Sequence, residues 1–102
     1  MLILKTLARS GELHGYEIAN SIQVNSQDVL QVEEGSLYPA LQRMLIKGWV
    51  TAEWGTTSAN RRARYYRITR LGRKQLAAER SKWEAFSRAV GLILNPVDQE
   101  AQ

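Results

Sequence analysis

The chain has 102 residues, a length that suits one domain with a modest hydrophobic core. Its composition, 44% hydrophobic and 24% charged with no cysteine, is that of an ordinary globular protein; it excludes disulfides, thiolate metal sites and cysteine nucleophiles. The net charge of +4 is unevenly placed: residues 1–60 hold four basic and six acidic side chains, residues 61–102 ten and four. Between Arg61 and Lys74 lie seven basic residues and no acidic one. A field of that kind draws polyanions such as nucleic acid, although a basic run alone is equally compatible with a solvated surface.

In chain order, Met1 to Ser10 places Ile3, Leu4, Leu7 and Ala8 at helical spacing, and Gly11 stops the run. No capping residue precedes it, so this first helix is expected to be short at its N-terminus. The same segment, interrupted by Lys5 and Thr6, lacks the marks of a signal peptide, and no apolar run is long enough to span a membrane; a cytoplasmic protein is expected. His14 to Ile22 reads as a second helix whose narrow face of Gly15, Ile18, Ala19 and Ile22 lets another helix approach closely. Asn25 to Asp28 is a polar turn, and Val29 to Val32 a short β-prone run expected to form one bridge of strand. A third helix follows, with Ser36 as its expected N-cap and Pro39 in its first turn. Leu37, Leu41, Met44 and Leu45 share its apolar face, and Gly48 ends it. Trp49 to Trp54 and Arg61 to Thr69 are β-prone segments around a small polar loop, a hairpin in which Tyr66 and Ile68 share one face and Tyr65 and Arg67 the other. Thr69 caps a fourth helix from Arg70 to about Leu94, which Pro96 bars from continuing.

This order predicts a mainly α protein with a small β-wing: a winged helix-turn-helix over 1–69, a long dimerisation helix over 70–95 and a disordered tail over 96–102. Such a plan suits duplex DNA. The major groove admits one helix, whose N-terminal residues meet base edges, while a neighbouring ribbon lays arginines along phosphates or into the minor groove. The candidate DNA-binding residues on the third helix are Ser36, Tyr38, Pro39, Gln42, Arg43 and Lys47. Gln42 suits adenine, Arg43 guanine or a phosphate, and Ser36 with the helix N-terminus a phosphate. On the wing they are Arg61, Arg62 and Arg64, with Arg67, Arg70, Arg73 and Lys74 as weaker candidates. The fourth helix carries a roughly heptad stripe of Leu71, Leu76, Trp83, Phe86, Val90, Ile93 and Leu94, more than a wing domain of this size buries by itself. The stripe folds back on the first helix, pairs with its copy in a second subunit, or does both; Leu76, Trp83, Phe86, Val90, Ile93 and Leu94 are the candidate dimerisation residues.

Five motifs in order resemble the PadR family of bacterial transcriptional regulators over about residues 2–76: His14-Gly15-Tyr16-Glu17-Ile18, Glu34 to Leu41, Lys47-Gly48-Trp49-Val50, Arg64 to Thr69, and Gly72. The resemblance implies a winged-helix DNA-binding domain, a C-terminal dimerisation helix and a repressor role at a promoter. A single C-terminal helix looks like the family's short subfamily. Residue by residue, it puts the recognition motif on Ser36, Tyr38, Pro39 and Gln42, and the wing on Arg61 to Tyr66. Tyr16, at the start of the second helix, is expected to help the core or touch a phosphate. Leu45 and Ile46 depart from the charged residues common there in the family and are expected to face the fourth helix or another subunit. Relatives also usually carry several residues before the first helix.

The expected function is therefore a homodimeric, sequence-specific transcriptional regulator, a repressor on a palindromic operator. Its partners are double-stranded DNA and a second copy of itself, with no membrane and no cofactor or metal. A second reading adds a small hydrophobic or aromatic effector near Trp83 and Phe86, as in a multidrug-type regulator. A third makes the winged helix a protein-interaction module, which the arginine cluster argues against. One histidine, no cysteine and no suitably spaced carboxylate or glycine-rich phosphate motif argue against an enzyme.

Overall fold

A computed structural model describes residues 1–96, so the tail expected over 96–102 lies, from residue 97 on, outside the described residues. Three short helices come first in the chain: α1 (Leu2–Ser10), α2 (Gly15–Asn25) and α3 (Glu34–Ile46). They are followed by a hairpin of β2 (Val50–Thr56) and β3 (Arg62–Ile68) and by the long helix α4 (Arg70–Leu94), with a two-residue strand β1 (Leu13–His14) between α1 and α2. The sheet is antiparallel in the order β1-β3-β2, with Leu13 opposite Tyr66 and Val50 opposite Ile68. None of these helices is long and apolar enough to cross a membrane.

Every element except β1 contributes to one buried core. Leu4 and Leu7 come from α1, Ile18 and Ile22 from α2, and Leu37 and Leu41 from α3. Val50, Tyr66 and Ile68 come from the hairpin, and Leu76 from α4. The helical positions are those that three- and four-residue spacing places on one face. Gly11 ends α1 at φ 84°, and Gly48 turns α3 into β2 at φ 76°, conformations that cost an L side chain about 1–2 kcal/mol. At the other end of the hairpin the Thr69 hydroxyl accepts from the Gly72 N–H at 3.0 Å, capping α4 as its sequence suggests.

Three sequence expectations need correction. Val29 to Val32 forms no strand, and the third strand is Leu13–His14. The reason is local: the Ser26 hydroxyl accepts from the Leu30 N–H at 3.0 Å, and the Ser26 carbonyl from the Val29 N–H at 3.1 Å. The backbone that a strand would use is thus committed to the end of α2, and β-propensity loses to a turn. Ser36 is not the N-cap of α3, because the helix begins two residues earlier behind Glu33. Glu33 and Glu34 place negative charge where the helix dipole favours it. Pro39 accordingly stands in the second turn of α3, beyond the first-turn position expected for it. Its ring removes a hydrogen bond to Gly35, whose exposed backbone water can reach.

Candidate nucleic-acid interface

The hairpin changes character along one face. With a side-chain period of two, Val50, Ala52, Trp54 and Thr56 face the same way as Ile68, Tyr66, Arg64 and Arg62, their cross-strand partners. At the base this face is core: Val50, Ile68 and Tyr66 are buried. Further out Arg64 is half-buried, and at the tip Arg62 is exposed. The Arg62 guanidinium lies 4.5 Å from the centre of the Trp54 ring, and that of Arg64 lies 5.8 Å from both Trp54 and Tyr66. The tip closes through Thr57 and Arg61, whose backbones bond at 2.7 Å, with Asn60 in the left-handed region that asparagine tolerates.

On the helical side, α2 begins at His14, whose backbone N–H donates to the Glu17 carboxylate at 3.1 Å. That bond fixes the His14 backbone at the start of α2. Gly15 is buried under the Tyr38 ring of α3; a Cβ on Gly15 would stand 2.8 Å from the Tyr38 hydroxyl. Here the small residue admits a ring rather than a whole helix. Partial burial and the negative charge of Glu34 raise the Tyr38 phenol above its ordinary value, so at neutral pH its hydroxyl keeps its proton and remains a donor. Because the end of the Tyr38 ring can swing outward, Gly15→Ala is expected to leave the melting temperature nearly unchanged. The same substitution should weaken duplex binding about fivefold, the loss of one polar contact. Thermal unfolding beside a duplex titration checks both.

Together these elements enclose an open groove of about 930 Å³ between the start of α2, one edge of α3 and the wing. Tyr38 and Gln42 line it from α3, and Arg61, Arg62 and Arg64 from the hairpin. Ser36, Pro39 and Arg43 are exposed on α3 outside this lining, and Lys47 sits at the helix end over the Trp49 ring at 4.8 Å. The Ser36 N–H is not free for a phosphate, since it donates to the Glu33 carbonyl at 3.0 Å. Glu33 and Glu34 also set negative charge at the very end where a phosphate was expected.

Two further aromatic residues line the groove, Trp54 and Tyr16. Trp54 was seen only as a strand residue; a large ring that continues a strand's buried face past its last core position, opposite an arginine run, is the signal that marks it. Tyr16 is 68% exposed and lines the groove, which removes the core alternative considered for it. Leu45 packs against the core, while Ile46 is exposed.

Along α4 the stripe divides. Leu76 is buried in the protomer's own core, which corrects its assignment to a dimer surface: α4 packs on α1 at that level. Beyond it Val90 is half-buried, and Trp83, Phe86, Ile93 and Leu94 are exposed. The Trp83 and Phe86 rings lie 6.0 Å apart on this open face.

Three helices, a three-stranded sheet that carries a hairpin wing, and a long trailing helix define a winged-helix protein. The model of the transcriptional regulator PadR-like family matches residues 3–78, and the chain belongs to that family of regulators rather than to any class of enzyme. It is similar to a transcriptional regulator from Clostridium thermocellum, with 29% identity and a TM-score of 0.79 over 88% of this chain and 86% of that one. It is likewise similar to a PadR family transcription regulator from Clostridium difficile, with 28% identity and a TM-score of 0.75 over 92% and 95% of the two chains. A structure of Bacillus subtilis PadR in complex with operator DNA matches 76% of this chain and 43% of its own, at 25% identity and a TM-score of 0.65.

Proposed function

We propose that this chain is a homodimeric, sequence-specific repressor that grips a palindromic operator with α3 in the major groove and the wing on the adjacent phosphates. The observation that carries the proposal is the groove itself, where Tyr38 and Gln42 of α3 face Arg61, Arg62 and Arg64 of the hairpin. Gln42 reads adenine, and the exposed Arg43 takes guanine or a phosphate. The Tyr38 and Ser36 hydroxyls donate to the backbone, and the arginines supply charge along it. The complex of Bacillus subtilis PadR with operator DNA supports this use of the fold. The exposed Trp83, Phe86, Ile93 and Leu94 support a second copy, which sets two recognition helices roughly 34 Å apart, one turn of DNA.

The test is the salt dependence of binding to a random duplex. Arg61→Ala with Arg62→Ala is expected to lower the slope of log affinity against log salt by about 1.8, two phosphate contacts' worth of released counterions. An unchanged slope contradicts the wing assignment.

A further inference from the structure

We propose that Trp54 is a positioning residue for DNA binding, whose ring holds the guanidinium groups of Arg62 and Arg64 in place for phosphates. The inference rests on the DNA-binding reading above and gives Trp54 a role within it. Along the outward-running face of the hairpin, ring and cation alternate in the order Tyr66, Arg64, Trp54, Arg62, with separations of 5.8, 5.8 and 4.5 Å. The series is fixed at its inner end, because Tyr66 is buried in the core. Trp54 itself is 60% exposed, so core packing does not account for its size. Among the described residues neither Arg62 nor Arg64 forms an ion pair, whereas Arg67 is paired with Glu12 and Arg80 with Glu84.

The chemistry follows from that difference. A carboxylate partner would neutralise an arginine and occupy its N–H edge. A ring under the guanidinium attracts the cation and occupies none of its in-plane donors; the Arg64 Nε is buried without a hydrogen-bond partner, which leaves the terminal amino groups of that side chain to meet phosphate. The ring also restricts side chains that otherwise surrender many rotamers on docking, so less freedom is lost when phosphate arrives. Trp54 standing between two like charges further stabilises both in one short strand.

A double-mutant cycle tests the proposal. Trp54→Leu keeps apolar bulk without a π face, and Trp54→Phe keeps a face. Each is titrated with random duplex, in the wild-type chain and in the Arg62→Ala, Arg64→Ala chain, with thermal unfolding as the check on folding. Trp54→Leu is expected to weaken binding about tenfold in the wild-type background and less than about twofold without the arginines. Trp54→Phe is expected to stay within about threefold of wild type. Equal losses in both backgrounds would overturn the proposal, since Trp54 would then act on DNA or on the fold by itself. Unchanged affinity in Trp54→Leu would overturn it as well. A wild-type chain that binds no duplex would overturn the DNA-binding reading, and this inference with it.

Discussion

Gly72→Ala is expected to cost about 3 kcal/mol of stability and to lower the melting temperature by roughly 15 °C. An added Cβ would stand 2.1 Å from the Trp49 carbonyl oxygen and 2.8 Å from Cγ1 of Ile68. The oxygen is backbone and cannot swing away. It already accepts from the Thr69 N–H at 3.0 Å, while the Trp49 N–H donates to Met44 at 2.9 Å. Thr69 ties the same junction a second time, donating from its hydroxyl to the Gly48 carbonyl at 2.7 Å. Relief therefore requires α4 to lift from the base of the hairpin, breaking several of these bonds at once. The gain in helix propensity of alanine over glycine, about 1 kcal/mol, does not offset that. Gly35→Ala is the contrast, because a Cβ there meets nothing within 4 Å and the helix-propensity gain stands alone. Thermal unfolding followed by circular dichroism reads both. An unaltered melting temperature in Gly72→Ala would contradict this packing of α4 on the hairpin.

The second large effect concerns assembly. Trp83→Ser combined with Phe86→Ser is expected to turn the proposed dimer into a monomer and to weaken operator binding about a hundredfold. The two rings are 52% and 61% exposed in the protomer, on a helix whose outer end also exposes Ile93 and Leu94. Aromatic side chains of this size bury roughly 150–250 Å² each when fully covered, and about half of each is still open here, so the pair offers on the order of 200 Å² and the neighbouring aliphatics supply the rest of the ~800 Å² per partner of a standard interface. Replacing both rings with serine removes the aromatic part of that face and sets polar groups in its middle without touching the core, which uses Leu76 instead. The loss in DNA affinity follows from linkage, since a tethered second half-site binds at high effective concentration and a free one does not. Light scattering after size exclusion, beside an operator titration, separates the two consequences. A dimer that survives the double substitution would place the subunit contact elsewhere.

Much of this architecture was legible in the residues. Helical spacing marked α1, α2 and α4, alternation marked the hairpin, and Gly11, Gly48 and Thr69 marked the boundaries they occupy. The hidden parts have physical reasons. A two-residue strand has no period to detect, so Leu13–His14 shows only through its pairing with β3. The β-prone Val29 to Val32 was outcompeted by the Ser26 turn. The start of α3 was misread because Ser36 is a better cap by residue type than Glu33, whereas dipole and chain direction favour the earlier start. The arginines of the wing were legible as charge, but their stacking on Trp54 depends on cross-strand register, which residue type does not fix.

Selection of bound duplexes from a random pool by the wild-type chain tests the central claim most directly. The account predicts enrichment of a palindrome whose half-sites lie about ten base pairs apart, centre to centre, so that two copies of α3 meet successive major grooves. A bound pool that remains random in sequence would contradict it.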